Sequence, residues 1–354
     1  MESESPQGRP LFIGSLPMAE HAAALREVLQ RTPETPHWVQ LPLRPEEGFL
    51  VQFCRGLPGL REGRVPIVQK RSETFEAEIL AFYEEFMEVT EGRAPLRGSR
   101  FSVSQRDAPG LYLLVKALKG RETFVVKGQI SGPLSVLLGI HDEDGRSAYY
   151  DEQIRDVTVK LLSLKARWQA LCLGEEGRRR TLVFVDEPAM GGLGSSVYIA
   201  VDQREALGCL NEVLRSIREA GAWSGVHVCS NADWGALLRQ GLDVVSFDAF
   251  SYFERFALFS EEVSAFLAGG GMIAWGIVPT AAEALEKMEA QRLVSLWLDQ
   301  AGTLSKGGIE VEGIFRQAFI TPSCGLGSLD PRWATKAMDL TVEVSRLLRK
   351  ELAS

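Results

Sequence analysis

Three side chains that could bind a metal lie at the ends of two apolar runs in this sequence. His227 and Cys229 end the run that begins at Gly225, and Cys324 follows a second run much later in the chain. Side chains two residues apart on a strand point to the same face, so His227 and Cys229 can reach one ion together. Imidazole and thiolate donors suit zinc. We therefore predict a zinc site that handles a sulfur substrate or activates water.

Other polar residues follow further apolar runs. Asp248 follows the run 243–247, where it could be the fourth metal ligand or equally the N-cap of a helix. Asp186 and Glu187 are adjacent, and neighbouring side chains on an extended backbone point to opposite sides, so at most one of them faces the site. Ser15 stands at the end of the first run.

The elements that must position these residues are short apolar runs alternating with helical patterns. Several runs are apolar throughout, which favours strands of a parallel sheet that is covered on both faces. Eight segments are predicted to be strands: Leu11–Leu16, His37–Leu41, Thr123–Ile130, Thr181–Val185, Gly225–Cys229, Asp243–Phe247, Met272–Val278 and Ala318–Thr321.

The intervening segments carry helical signals. Residues 205–220 place apolar side chains close to a 3.6-residue period. Thr280 and Glu283 have the spacing of a capping box, which predicts a helix from there to about Ala301. Pro331 is predicted to be the first residue of the last helix.

Eight strands, most of them followed by a helix, predict a single (β/α)₈ TIM barrel over residues 11–354, preceded by a flexible N-terminus of residues 1–10. The alternative is an open doubly wound sheet, although no Gly-x-Gly-x-x-Gly motif follows the first strand. In a barrel of this kind the active site lies at the carboxyl ends of the strands, where the polar residues above are found.

Composition excludes several classes of function. The chain has 354 residues and a net charge of −8, so a nucleic-acid-binding surface is not expected. The N-terminus is polar, and no apolar run approaches the roughly 20 residues that span a bilayer, so neither a signal peptide nor a membrane contact is predicted. Five cysteines form an odd number without regular spacing, which favours a reduced, cytoplasmic protein.

Taken in order, these motifs resemble the catalytic, C-terminal half of cobalamin-independent methionine synthase. The resemblance runs from Ile13-Gly14-Ser15 through Asp186-Glu187-Pro188 and His227-x-Cys229 to Cys324-Gly325-Leu326. It implies a TIM barrel and a methyltransferase that uses zinc to methylate homocysteine.

The resemblance also implies a role for individual residues. Zinc would be held by His227, Cys229, Asp248 and Cys324. The backbone and carboxylate groups of homocysteine would be bound by Ile13 and Ser15, and its amine by Asp186.

Two departures from the family pattern bear on activity. The family's carboxylate ligand is usually Glu, and Asp248 is one methylene shorter. The family's loop after the seventh strand carries a His, whereas residues 276–280 here contain none.

The family's N-terminal half has no counterpart in this sequence, so the resemblance implies a short, core-type member. Its methyl donor would be a methylated corrinoid, free or carried by a corrinoid protein, or methyltetrahydrofolate.

Three other functions stay open at this stage. The first is a decarboxylase of the uroporphyrinogen type, which shares the fold and would need arginines at the mouth of the barrel. The second is a methyltransferase that uses another small thiol or transfers methyl groups to a corrinoid protein. The third is a zinc-binding relative without catalytic activity.

Overall fold

A computed structural model describes residues 5–63, 65–175, 177–194 and 198–352. Its main sheet has six parallel strands in the order β3-β5-β6-β7-β8-β9. These strands are β3 (Val126–Ser131), β5 (Thr181–Asp186), β6 (Trp223–Val228), β7 (Val244–Phe247), β8 (Met272–Val278) and β9 (Ala318–Pro322). A small second sheet joins β1 (Leu60–Arg61), β2 (Ile67–Val68) and β4 (His141–Asp142).

Two further segments connect the edges of the six-stranded sheet. Residues 10–15 pair in parallel with β9 through Pro10 and Ile320, and with residues 37–40 through Ser15 and Gln40. His37 then pairs in parallel with Lys127 of β3. The predicted TIM barrel is therefore confirmed, with the first two of the eight predicted strands present as short extended segments joined by isolated bridges.

Helices surround the sheet on its outer face. They are α1 (His21–Arg31), α2 (Phe75–Thr90), α3 (Pro109–Ala117), α4 (Pro133–Gly139), α5 (Glu152–Gly174), α6 (Gln203–Glu219), α7 (Trp234–Leu238), α8 (Ala249–Ala257), α9 (Ser260–Ala268), α10 (Ala282–Lys287), α11 (Ala290–Ser305), α12 (Val311–Arg316) and α13 (Pro331–Leu352). None of the helices in the described part of the chain is both long and apolar enough to cross a membrane.

The apolar core has two parts because strand side chains alternate between the two faces of the sheet. The larger part packs the outer face of the strands against the helices. The smaller part fills the bottom of the barrel interior and consists of Leu11, Val125, Leu182, Phe184, Val244, Met272, Ala274 and Phe319. Because this plug is apolar, the polar side chains of the interior are confined to the layers above it.

The structure corrects one predicted helix and confirms another. The helix predicted from Thr280 to Ala301 is two helices, α10 and α11, and the N-cap of α10 is Ala281 without a side-chain hydrogen bond. Thr280 instead makes a hydroxyl–hydroxyl hydrogen bond of 3.0 Å with Ser323, so a tertiary contact replaces the predicted capping box. Pro331 begins the last helix, as predicted.

The start of the chain is only partly described. Residues 1–4 of the predicted flexible N-terminus lie outside the described residues. The amide of Gly8 donates to Ala318, and Ser345 donates through its hydroxyl to the Gly8 carbonyl at 2.6 Å. The domain boundary at residue 11 stays a prediction.

One outer helix contains a buried cation with a consequence for stability. Lys165 of α5 is 1% exposed, and burial lowers its pKa to about 8 despite the opposing charge of Asp107. Between about pH 8 and 10.5 the unfolded chain binds a proton that the folded chain lacks, so stability rises with pH across this window and is lost as pH falls through about 8.

We expect Lys165→Met to lack this rise, which is on the order of 3 kcal/mol for a shift of this size. Urea unfolding of both proteins at pH 7 and pH 10 measures the effect. The difference in the free energy of unfolding, variant minus wild type, should be larger at pH 7 than at pH 10. A difference between the two proteins that does not change with pH would contradict the expectation.

Candidate metal centre

Three potential metal ligands converge at the carboxyl ends of two strands. His227 lies on β6, Cys229 directly follows it, and Cys324 follows β9. One ligand atom from each of the three lies within 4.8 Å of the others, and His227 is almost fully buried. Each strand is in parallel register with its neighbours, so the closed barrel brings together residues that are far apart in sequence. The structure therefore juxtaposes the imidazole and both thiols.

His227 is oriented by a neighbouring strand. Parallel register places Asp186, His227 and Ser246 side by side on β5, β6 and β7. The Ser246 hydroxyl and His227 Nδ1 are 2.9 Å apart, and Nε2 is buried without a hydrogen-bond partner. A buried unpartnered ring nitrogen beside two thiols is the arrangement expected of a metal ligand whose other nitrogen is fixed by hydrogen bonding.

A hydrogen bond between the two thiols shifts their pKa values in opposite directions. The Cys324 thiol and the His227 ring both stabilise the thiolate of Cys229, which lowers the pKa of Cys229 to about 4. The same hydrogen bond, together with burial, raises the pKa of Cys324. A metal cation bound by both sulfur atoms would displace the proton of this hydrogen bond, because thiols bind metals as thiolates. One imidazole and two thiols at this spacing fit zinc, which takes such ligands in tetrahedral sites.

Asp248 lies close by but has a structural partner. Its carboxylate accepts a 2.8 Å hydrogen bond from the Ser251 amide and so caps α8. It is not one of the three residues whose ligand atoms cluster. Burial raises its pKa, with a contribution from the charge of Cys229. The structure thus contains the cap that the sequence allowed, and a role for Asp248 as fourth ligand stays a prediction.

The adjacent carboxylates after β5 point in different directions. Asp186 lines the cavity beside His227, and its Oδ1 has no hydrogen-bond partner. Burial raises the pKa of Asp186 to about 6, against the opposing charges of His227 and Lys127. Glu187 is fully buried and accepts hydrogen bonds from the first turn of α4. Only Asp186 is therefore placed to meet a ligand.

The predicted substrate residues at the first strand line the same cavity. Its volume is about 240 Å³, and its wall includes Ile13, Ser15 and Asp186 together with all three potential metal ligands. The Ser15 hydroxyl also accepts a 3.2 Å hydrogen bond from the Gly327 amide, which ties the first strand to the loop that carries Cys324. The structure brings these residues together, and their binding roles stay predictions.

Several residues of the site were not found from the sequence. Gln40 lines the cavity from the second strand segment, and Glu47 and Phe49 line it from the loop that follows. Glu47 is buried, where its carboxylate lies 2.8 Å from His21 Nε2 and accepts a bond from the Leu41 amide. Nothing in the sequence marks this loop residue.

Ser246 could have been found. It lies two residues before Asp248 on a predicted strand, so alternation places both on the inner face.

The contact between Ser246 and His227 gives a testable expectation. Outer hydrogen bonds to a ligating His commonly change metal affinity by about 10–100-fold. We expect Ser246→Ala to weaken zinc binding by about that factor while Ser246→Thr keeps it, because threonine retains the hydroxyl. Competition with a chromophoric chelator measures the affinities. Equal zinc affinity for all three proteins would show that His227 needs no such support.

Comparisons with known proteins identify the fold. No family model matches the chain, and no curated protein sequence matches it. Among solved structures, it is similar to a B12-independent methionine synthase from Shewanella sp. W3-18-1, solved in complex with selenomethionine. The TM-score is 0.58 at 14% identity, and the match covers 98% of this chain and 99% of the other.

A second similar structure is a protein from Listeria monocytogenes named as a candidate vitamin-B12-independent methionine synthase. Its TM-score is 0.56 at 13% identity, over 94% of this chain and 86% of the other. At such low identity these likenesses establish the fold and not the activity. The chain therefore has the TIM-barrel architecture of B12-independent methionine synthase structures over almost its whole length.

Proposed function

We propose that this protein is a zinc-dependent methyltransferase that moves a methyl group to a small thiol, homocysteine, to give methionine. The observation that carries the proposal is the cluster of His227, Cys229 and Cys324 at the wall of a cavity that also contains Asp186. The likeness to a methionine synthase fold that was solved with selenomethionine supports the same substrate class.

The chemistry required is the activation of sulfur. A free thiol has a pKa of about 8.5, so only a small fraction is thiolate at neutral pH. Zinc held by these three residues would favour the thiolate form of a substrate thiol. The chain's own residues would then hold the substrate so that its sulfur faces the methyl donor, because an in-line displacement depends on orientation.

The other groups of the cavity suit the polar end of an amino-acid thiol. Asp186 offers an unpartnered carboxylate oxygen, which could accept hydrogen bonds from an ammonium group. The cavity is also lined by Gly14, Ser15 and Gly325, which contribute backbone groups and a hydroxyl. A cavity of about 240 Å³ admits a small amino acid and leaves the bulk of a methyl donor outside.

The rival decarboxylase is less well supported. Binding several carboxylates would require arginine side chains in the cavity, and the described residues that line it include none. The methyl donor is a methylated corrinoid or methyltetrahydrofolate in this proposal. We also propose a cytoplasmic location, consistent with reduced thiols at the site.

The test is a methyl-transfer assay with zinc-loaded protein, homocysteine and either methylcobalamin or methyltetrahydrofolate, with methionine as the readout. We expect methionine from one of the two donors and none after removal of zinc with a chelator, with recovery when zinc is restored. A protein that binds zinc but forms no methionine with either donor would favour another thiol or a non-catalytic role. Full activity without zinc would contradict the proposal.

A further inference from the structure

Inside the barrel, below the metal centre, lies a lysine that the chemistry above does not use. Lys127 is on β3 and is 0% exposed. Its ammonium donates to the Ile13 carbonyl and, at 3.0 Å, to Gln129 Oε1, and it lies 5.1 Å from the centroid of the Phe184 ring. No carboxylate of the described residues forms an ion pair with it within 4.0 Å.

A buried cation without a direct counter-ion is costly to the fold. Taking an ammonium out of water is unfavourable, and hydrophobic residues of similar size in such positions are often neutral or stabilising. Folding alone therefore gives little reason for a lysine at this position. Its contacts indicate what else it does.

The first of these contacts supports one wall of the cavity. Lys127 holds the Ile13 carbonyl, and Gln129 donates to the Trp38 carbonyl at 3.0 Å. Gly14 has a φ of +154°, and a Cβ there would lie 3.0 Å from Gln129 Cδ, so this segment packs directly on the Gln129 amide. Lys127 and Gln129 thus support the backbone of Ile13 and Gly14, directly before Ser15.

The second contact is electrostatic. The charge of Asp186 raises the pKa of Lys127, opposing the effect of burial. The charges of His227 and Lys127 lower the pKa of Asp186, again opposing burial. His37, the other ionisable group beside Lys127, is fully buried and held neutral, because burial lowers its pKa to about 3. Lys127 and Asp186 therefore each favour the charged form of the other, although burial lowers the pKa of Lys127 to about 8.

We propose that Lys127 is a positioning residue for the thiol substrate. It fixes the Ile13–Ser15 wall and supplies a countercharge to Asp186, and so determines the affinity for a small amino-acid thiol without contributing to the metal site. The inference rests on the proposed function, because it assigns the cavity to such a thiol.

The chain offers a matched control for the test. Lys165 is also a fully buried lysine, but it lies on the outer helix α5, where its ionisable neighbours include Asp107 and Cys54 and not Asp186. Lys127→Met and Lys165→Met make the same chemical change at the two positions. For each variant, zinc per chain, melting temperature, homocysteine Kd by calorimetry, and KM and kcat are measured on the zinc-loaded full chain.

We expect Lys127→Met to weaken homocysteine binding and raise its KM at least ten-fold, with zinc content unchanged and kcat at saturating thiol within about two-fold. Lys165→Met and the charge-retaining Lys127→Arg should bind homocysteine more tightly than Lys127→Met does. If Lys127→Met fails to fold, Gln129→Met replaces it, and a several-fold weaker thiol affinity is expected. Unchanged affinity, or loss of zinc from Lys127→Met, would overturn the inference. A wild-type protein that neither binds nor methylates homocysteine would instead contradict the proposed function.

Discussion

Replacing Cys324 with alanine is expected to remove both zinc and methyl transfer. The variant keeps His227 on β6 and Cys229 directly after it, but loses the thiol that β9 contributes to the cluster. Loss of an outer-shell partner alone commonly costs about 10–100-fold in affinity or activity, so loss of a direct ligand should exceed about 100-fold. Metal analysis after dialysis and the methionine assay measure the two effects.

Cys209→Ala is the matched control for this experiment. Cys209 is a partly buried thiol on α6 and is not part of the cluster, so its removal should leave zinc content and activity unchanged. If Cys324→Ala retained one tightly bound zinc per chain, the three-residue centre would be wrong. If it retained zinc but lost activity, Cys324 would serve catalysis and not metal binding.

The second large effect concerns stability and lies at Glu187. Its buried carboxylate accepts a 2.9 Å hydrogen bond from the Leu134 amide, a 2.7 Å bond from the Ser135 amide, and a bond from the Ser135 hydroxyl. Glu187→Ala would leave these donors at the start of α4 buried without partners. Because each unsatisfied buried group costs about 1–3 kcal/mol, we expect a loss on the order of 4 kcal/mol in the free energy of unfolding.

Ser135→Ala provides a graded comparison, because it leaves both α4 amides paired with Glu187. It removes the bond from the Ser135 hydroxyl to Glu187 and the 3.0 Å bond that this hydroxyl accepts from the Ala189 amide. Its loss should be on the order of 2 kcal/mol, because one buried amide is left without a partner. Urea unfolding monitored by circular dichroism gives both values. Losses of equal size in the two variants would indicate that the amide bonds to Glu187 contribute little.

The adjacent Asp186 and Glu187 illustrate how far the sequence could be read. Alternation along a strand predicted that only one of the two would face the site, and the structure has Asp186 at the cavity and Glu187 against α4. Alternation alone could not decide which of the two faces inward, because that depends on how β5 sits in the closed sheet; only the family resemblance favoured Asp186.

The sequence failed where tertiary contacts outweighed local signals. Thr280 and Glu283 carry the pattern of a capping box, but Thr280 bonds to Ser323 and the helix is interrupted. The first two barrel segments have strand-like sequences, but they pair with their neighbours only at isolated positions. Local propensity contributes too little free energy to override a tertiary contact.

Apolar periodicity and the spacing of His227, Cys229 and Cys324 were enough to predict the barrel and the edge at which its polar residues meet, because parallel strands place their carboxyl ends on one rim. The tertiary structure decided the rest: that Asp248 caps α8, that Ser246 holds the imidazole, and that Glu47 and Lys127 belong to the surroundings of the cavity. Those outcomes depend on contacts between elements that are distant in the chain, and such contacts exist only once the barrel has closed.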